Sequence, residues 1–152
     1  MITIIAVGKI KEQFLVDGIN EYLKRLEAYE NIKLIEVKEV NNKEINENIK
    51  REGTNILEKI SSSEFVITLE IEGKQLDSVS FADKISKLQT YGNSHITFVI
   101  GGSNGLSDEV KKRSNFKLSF SKFTFPHQLM RLILMEQIYR AYTIINHKEY
   151  HK

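Results

Sequence analysis

Short apolar runs alternate along the chain with longer stretches in which apolar residues recur every three or four positions. The first pattern is typical of strands and the second of amphipathic helices. Strands are predicted at residues 2–7, 32–37, 65–69, 96–100 and 116–120, with a turn closed by Gly73 after the third. Helices are predicted at residues 11–29, 45–57 with an interruption near Gly53, 78–90, a short stretch after Ser107, and 126–145.

This alternation of strand and helix predicts a single α/β domain over residues 1–152, with a mainly parallel sheet covered by helices on both faces. Ligands bind beyond the carboxyl ends of the strands in such sheets. Three loops of unusual composition follow such ends, at residues 69–73, 101–105 and 119–126. These loops are the candidates for a binding pocket.

The last predicted helix is apolar around most of its circumference. A helix of this kind must be buried on more than one side. One side is expected to meet the sheet and the other a second subunit, in a two-fold homodimer. Glu136 and Arg140 are exceptions on this helix; their spacing is that of an ordinary helical ion pair. Their isolation among apolar residues favours a function instead, because burying charge is costly.

The stretch at residues 116–127 contains four of the eight phenylalanines and the only proline. Pro126 fits the first turn of a helix, because its missing N–H would be unpaired there in any case. His127 follows at the end of an exposed loop. Local sequence favours equally a surface histidine that caps the helix and one that acts as a base or contacts phosphate.

Two further stretches have a composition suited to ligands. The glycine-rich loop at residues 101–105 lets backbone amides approach a ligand, but it matches neither a Walker A loop nor the dinucleotide fingerprint. Taken alone, a tight turn needing positive φ explains it better than a binding loop does. The terminal Tyr150, His151 and Lys152 suit stacking on a base and contact with phosphate, although chain ends usually fray.

Composition narrows the class of protein. The chain has 152 residues, 41% of them apolar, and no apolar run approaches the roughly 18 residues that span a bilayer. A soluble, cytoplasmic protein without membrane contact is therefore expected. The absence of cysteine excludes disulfides and thiolate chemistry, and four scattered histidines give no metal-ligand spacing, so no metal site is predicted.

Charge is distributed unevenly along the chain. Residues 1–100 carry 13 Lys and Arg against 16 Asp and Glu, whereas residues 101–152 carry 9 against 4. The basic last third is suited to a polyanionic partner, although a solvated basic face is the commoner explanation of such an excess.

Six motifs in order carry a resemblance that extends over essentially the whole chain. They are IIAVGK at residues 4–9, TLEIEGK at 68–74, FVIGGSNG at 98–105, LSFSKFTFPHQ at 118–128, EQIYRA at 136–141 and YHK at 150–152. With these motifs the chain resembles the RlmH-type ribosomal RNA methyltransferases, small members of the SPOUT class. The resemblance implies a C-terminal trefoil knot, which pattern analysis does not detect.

The resemblance also implies a function. It predicts a homodimer that uses S-adenosylmethionine to methylate N3 of a pseudouridine in 23S ribosomal RNA, in the stem-loop at the subunit interface. The expected cofactor contacts are Leu69, Gly101, Phe120, Ser121, Lys122, Phe123, Thr124 and Phe125. The residues expected to face the RNA, across the dimer interface, are His127, Glu136, Arg140, Tyr150, His151 and Lys152; all but Lys152 are candidate catalytic residues.

Two questions stay open at this level. N3 of the target ring bears a proton, and His127, His151 and Glu136 are all candidates for removing it; a reaction without a protein base also remains open. A net charge of only +2 and no separate RNA-binding domain predict weak binding to free RNA, so the assembled ribosome is expected to supply further contacts. The alternatives are a non-catalytic RNA- or ribosome-associated binding module and a small nucleotide hydrolase, which would lack its phosphate-binding lysine.

Overall fold

The computed structural model describes residues 1–42 and 44–152. These residues form five strands and five helices. The strands are β1 (Ile2–Val7), β2 (Ile32–Val37), β3 (Phe65–Gln75), β4 (Ile96–Ile100) and β5 (Phe116–Ser119). The helices are α1 (Gln13–Leu26), α2 (Ile45–Leu57), α3 (Ser78–Thr90), α4 (Asp108–Arg113) and α5 (His127–Ile145). No helix in this part of the chain combines the length and apolarity needed to cross a membrane.

The strands form one sheet in the order β2-β1-β4-β3-β5, and every pairing between them is parallel. Apolar side chains fill both faces, as expected for strands read from continuous apolar runs. On one face Ile4 and Phe98 pack with α1, α3 and α5; on the other Ile5 and Val99 pack with α2 and α4. The predicted parallel α/β sheet with two covered faces is confirmed.

The third strand is longer than predicted. It continues to Gln75, and both Leu69 and Lys74 pair with Leu118, so residues 70–73 bulge out of the ladder. The turn predicted at Gly73 is therefore wrong, because Gly73 lies within the strand. A Cβ added there would lie 2.7 Å from the carbonyl carbon and oxygen of Lys117. Glycine is needed at this position for the close approach of β3 to β5.

The predicted interruption of α2 near Gly53 is also wrong, since the helix runs without a break to Leu57. A Cβ added at Gly53 would lie 2.2 Å from the Oγ of Ser107. Ser107 is the N-cap of α4, as predicted, and accepts a hydrogen bond from the Val110 backbone N–H. Gly53 thus lets α2 pack directly against the start of α4.

The variant Gly53→Ala is expected to lower the free energy of unfolding by about 1–3 kcal/mol, because the added methyl group overpacks the contact with Ser107. Urea unfolding followed by circular dichroism measures the change. Thr54→Ala is the control, since the neighbouring side chain is exposed and should change stability by at most about 0.5 kcal/mol. Equal stability of the two variants would contradict the packing role of Gly53.

Helix α5 lies between α1 and α3 on the sheet, and these neighbours cover much of its apolar surface. Leu132 fits against Gly18 of α1, where an added Cβ would approach it to 2.9 Å. On the other flank Ser78 of α3 donates a hydrogen bond to Gln137, at 2.7 Å. The residues between these flanks point away from the sheet and are only partly buried, and they form what we call the outward stripe: Leu129, Ile133, Glu136 and Arg140.

Candidate active site

A cavity of about 840 Å³ opens at the bulge of β3 and the carboxyl ends of β4 and β5. The three segments predicted as pocket loops all contribute to its walls, although residues 69–73 form a bulge within β3 and not a loop after it. Seven of the eight predicted cofactor contacts line it: Leu69, Gly101, Phe120, Ser121, Phe123, Thr124 and Phe125. The eighth, Lys122, is not part of the lining; its side chain is exposed, which keeps its ammonium group hydrated.

The glycine-rich loop forms the tight turn that its sequence favoured. Gly105 has φ +87° and donates a backbone hydrogen bond to the Gly102 carbonyl at 3.1 Å, which closes a tight turn. A Cβ added at Gly101 would lie 3.0 Å from the Gly105 carbonyl. The same backbone borders the cavity.

The loop between β5 and α5 is fixed by its own serines. Ser121 accepts a hydrogen bond from the Phe123 backbone N–H at 3.0 Å, and Ser119 donates one to the Ser121 carbonyl at 3.1 Å. Phe123 is 78% exposed and Phe125 is 37% exposed. Phe123 therefore stands largely uncovered at the cavity and Phe125 partly uncovered, so a ligand can pack against both rings.

His127 begins α5 and lies on the cavity wall, close to the end of β1. A Cβ added at Gly8, which has φ +91°, would be 4.0 Å from His127 Nε2, Glu39 Oε2 and Arg131 Nη2. Glu39 also accepts a hydrogen bond from Ser103 of the glycine-rich loop, at 3.5 Å. An imidazole, a carboxylate and a guanidinium therefore converge on one glycine beside the cavity.

Arg131 ties α5 to the end of β1. It is buried, donates hydrogen bonds to the Val7 and Gly8 carbonyls at 2.9 and 2.6 Å, and pairs with Glu36 at 2.8 Å. Burial lowers the pKa of Arg131, an effect that Glu36 opposes, but an arginine remains charged in either case. The sequence analysis missed this residue, whose signal was a charge amid the apolar run at residues 129–135. Its bonds hold the first turn of α5, and with it His127.

The chain end is folded back rather than frayed. His147 adopts φ 56° just after α5, and Lys148 then donates its backbone N–H to the Thr143 carbonyl at 2.8 Å. A left-handed residue followed by this bond is a common way to end a helix and reverse the chain. The reversal returns Tyr150 and His151 to the surface of α5; Lys152 is exposed.

Tyr150 packs against the carboxyl-terminal half of α5. Its ring meets Tyr139 edge-on at 4.8 Å, and the Arg140 guanidinium lies 4.7 Å from its centre. Its hydroxyl is 3.4 Å from that of Tyr22 and donates to Glu136 at 3.3 Å. Burial raises the pKa of Tyr150, as do the Tyr22 hydroxyl and the Glu136 charge. The phenol therefore stays protonated near neutral pH and acts as a donor.

Glu136 and Arg140 form an ion pair with N–O distances of 2.8 and 2.5 Å, and the hydrogen bond to Glu136 raises the pKa of Arg140. Arg140 Nη1 also lies 3.1 Å from His151 Nδ1. A guanidinium has only donors, so Nδ1 of His151 accepts and its proton sits on Nε2. We call Glu136, Arg140, Tyr150 and His151 the tail cluster.

The cavity and the tail cluster are separate within one chain. His127 and Arg140 are 13 residues apart on the same helix, which corresponds to about 20 Å along its axis. The structure thus brings the predicted site residues together in two groups rather than one. Among the described residues, no three His, Cys, Asp or Glu side chains are grouped closely enough to hold a metal ion.

Comparison with known proteins gives whole-length matches. A family model described as "Predicted SPOUT methyltransferase" matches residues 1–151. The chain is 55% identical over 157 residues to "Ribosomal RNA large subunit methyltransferase H" of Carboxydothermus hydrogenoformans, with 99% of each chain covered. It is 52% identical over 160 residues to the protein of that name from Bacillus thuringiensis, again with 99% of each covered.

A solved structure with a similar fold is the tRNA (m1G37) methyltransferase from Aquifex aeolicus. The TM-score is 0.55 with 15% sequence identity, over 91% of this chain and 69% of the other. At that identity the likeness concerns the fold alone. Because a family model and relatives of more than half identity both span the full length, the chain belongs to the SPOUT methyltransferase family.

Proposed function

We propose that this protein is an S-adenosylmethionine-dependent methyltransferase that acts on N3 of a pseudouridine in the 23S RNA of the assembled ribosome. The observation that carries the proposal is the cavity on which three separate segments converge, with His127 in its wall. The substrate class follows the names of the two relatives, which are large-subunit ribosomal RNA methyltransferases.

The residues around the cavity fit the cofactor. Its volume of about 840 Å³ lies in the range of cofactor sites. Ile100, Leu118 and Met130 supply apolar walls for an adenine ring, while the Gly101 backbone can approach its polar edge. When bound there, S-adenosylmethionine supplies an electrophilic methyl group on its sulfonium. The exposed rings of Phe123 and Phe125 would pack over the bound cofactor and exclude water.

The outward stripe of α5 supports a two-fold dimer. Leu129 and Ile133 give it an apolar half and Glu136 and Arg140 a polar half. If two α5 helices pack antiparallel about Ile133, residue 127 of each lies alongside residue 140 of the other, because 133 is close to the midpoint of the two. The partner's tail cluster then stands over the cavity, and one composite site contains both groups of predicted residues.

Within that composite site the tail cluster binds the RNA and does not remove the N3 proton. Tyr150 is protonated, and His151 presents an N–H at Nε2. Glu136 already accepts hydrogen bonds from Arg140, Tyr150 and Gln137, so its carboxylate orients its neighbours. The free donors of Arg140 and His151 suit phosphate and base oxygens, and Lys152 extends the same basic end of the chain.

His127 is then the group best placed to accept the N3 proton. It lies on the cavity wall, and the buried Arg131 fixes the turn that carries it. Loss of the proton exposes the nitrogen lone pair that attacks the methyl group in line. The two subunits align that nitrogen with the methyl group, and this alignment supplies the rest of the rate enhancement.

Titration of S-adenosylmethionine into the purified protein by calorimetry tests the proposal. Phe123→Ala is expected to weaken cofactor binding about tenfold, since it removes an aromatic contact. Tyr91→Ala is the matched control, because Tyr91 is 79% exposed against 78% for Phe123 but lies outside the cavity. No binding by the wild type at millimolar cofactor would contradict the methyltransferase proposal.

The target is tested separately. Mass mapping of 23S RNA from a deletion strain should show the loss of one methyl group at a pseudouridine, restored by the wild-type gene. Methylation of a short naked stem-loop as fast as intact ribosomes would contradict the proposal that the ribosome supplies additional contacts.

A further inference from the structure

Three lysines surround a second pocket, of about 330 Å³, at the edge of the sheet beside β5. Lys74 comes from the end of β3, whereas Lys84 and Lys87 lie about one turn apart on α3. Tyr91 follows as the C-cap of the same helix. None of these four residues lines the cavity described above. We call them the basic edge.

The charges of the basic edge are not balanced. Lys87 pairs with Asp83 at 2.8 Å. The Lys84 ammonium instead lies 3.9 Å from the centre of the Phe116 ring, and neither it nor Lys74 has a carboxylate within 4 Å in the described part of the chain. Burial lowers the pKa of Lys84, and the charge of Lys74 lowers it further. Two ammonium groups close together are stabilised when an anion joins them.

Tyr91 indicates what kind of anion fits. Its side chain is 79% exposed and lies close to Lys87. Tyr91 lines the same pocket as the unpaired Lys74 and Lys84. An exposed aromatic ring that shares a groove with cations is the arrangement by which proteins bind single-stranded nucleic acid, with bases stacked on the ring and phosphates on the cations. An acidic peptide would use the lysines but would have no need of the ring.

The basic edge adjoins the cavity through the strands that border both. Leu69 of β3 and Leu118 of β5 line the cavity, and Lys74 and Phe116 of the same two strands line the second pocket. A nucleic-acid strand whose target base enters the cavity can therefore continue along this edge of the sheet.

We propose that Lys74, Lys84, Lys87 and Tyr91 bind the single-stranded RNA next to the methylated nucleotide. Lys74 and Lys84 contact phosphates, and Tyr91 stacks on a base. This inference rests on the proposed function, because it assigns a second contact to the same RNA substrate.

The double variant Lys74→Gln/Lys84→Gln tests the phosphate contacts against Lys50→Gln/Lys59→Gln. The control removes the same charge from exposed lysines at α2, on the other face of the sheet. The probe is a fluorescein-labelled single-stranded RNA with the sequence of the target loop and its flank. Its length of about 12 nucleotides lies within the usual span of a single-strand binding site. The test variant should bind it about tenfold more weakly. Its salt slope, the slope of log association constant against log salt concentration, should be lower in magnitude by about 1.4. The control should match the wild type.

Tyr91 is tested by a matched pair of variants. Tyr91→Phe keeps the ring and should keep wild-type affinity for the same oligonucleotide. Tyr91→Leu removes the ring and should weaken binding about tenfold. Equal affinity of the two variants would contradict stacking.

Other outcomes are equally decisive. Wild-type affinity and salt slope in the double lysine variant would overturn the inference. So would unchanged oligonucleotide binding with loss of ribosome binding, since the partner would then be an acidic protein surface. If the double variant does not fold, Lys74→Gln alone, at an exposed position, should lower the salt slope by about 0.7. A wild type that neither binds cofactor nor methylates ribosomes refutes the proposed function instead, and is distinguishable from these results.

Discussion

Replacing His127 with asparagine is expected to lower kcat for methylation of ribosomes by about 10²- to 10⁴-fold, the usual contribution of a positioned general base. The imidazole of His127 lies on the cavity wall. In the tail cluster, Nδ1 of His151 already accepts a hydrogen bond from Arg140, and Tyr150 stays protonated, so neither is available as the base. Asparagine keeps a polar side chain of similar reach but cannot accept the proton. Cofactor affinity, measured by calorimetry, should stay within about twofold, because the cavity is otherwise intact.

The pH dependence of this variant separates proton transfer from positioning. If His127 removes the N3 proton, its replacement should cost most where hydroxide is too scarce to take over this step. The rate of His127→Asn should therefore rise steadily toward alkaline pH, where solvent hydroxide removes the N3 proton, and should approach that of the wild type. A variant that is slower by the same factor at every pH would assign His127 to binding the substrate alone.

The order of elements could be predicted because strands buried on both faces leave continuous apolar runs, such as Ile2–Val7. The two errors share one cause. The local pattern predicts breaks at Gly53 and Gly73, yet each glycine is needed where a distant segment comes close, at Ser107 and Lys117 respectively. Local sequence does not show which remote residue a glycine will face.

The site was predictable where it lies in loops and not where it depends on the path of α5. Unusual composition identified the three segments around the cavity, two of which are loops, but Arg131 acquires its role only when α5 meets the end of β1. The folded tail likewise depends on His147 at positive φ and on the contact with Tyr139. Membership of the SPOUT family implies the predicted trefoil knot, which has no local sequence signal.

Dimers that combine two inactive variants are expected to recover activity. His127→Asn and Arg140→Ala should each be nearly inactive alone, since each removes one half of the proposed composite site. Refolded together in equal amounts, they should recover about one quarter of wild-type activity. Half of the dimers are then mixed, and each mixed dimer contains one intact site, formed by His127 of one subunit and Arg140 of the other. If both residues acted within one chain, the mixture would stay inactive.

A double variant carrying both substitutions in one chain is the matched control for this experiment. Mixed in equal amounts with the wild type, it should leave about one quarter of the activity, because every mixed dimer then lacks one half of each site. A site within one chain would leave about one half instead. Because Arg140 also pairs with Glu136, circular dichroism and sedimentation must first establish that the Arg140→Ala protein is folded and dimeric. A site shared between subunits predicts about one quarter of the activity in both mixtures. A site within one chain predicts no activity in the first mixture and about one half in the second. A loss of stability alone therefore cannot imitate a shared site.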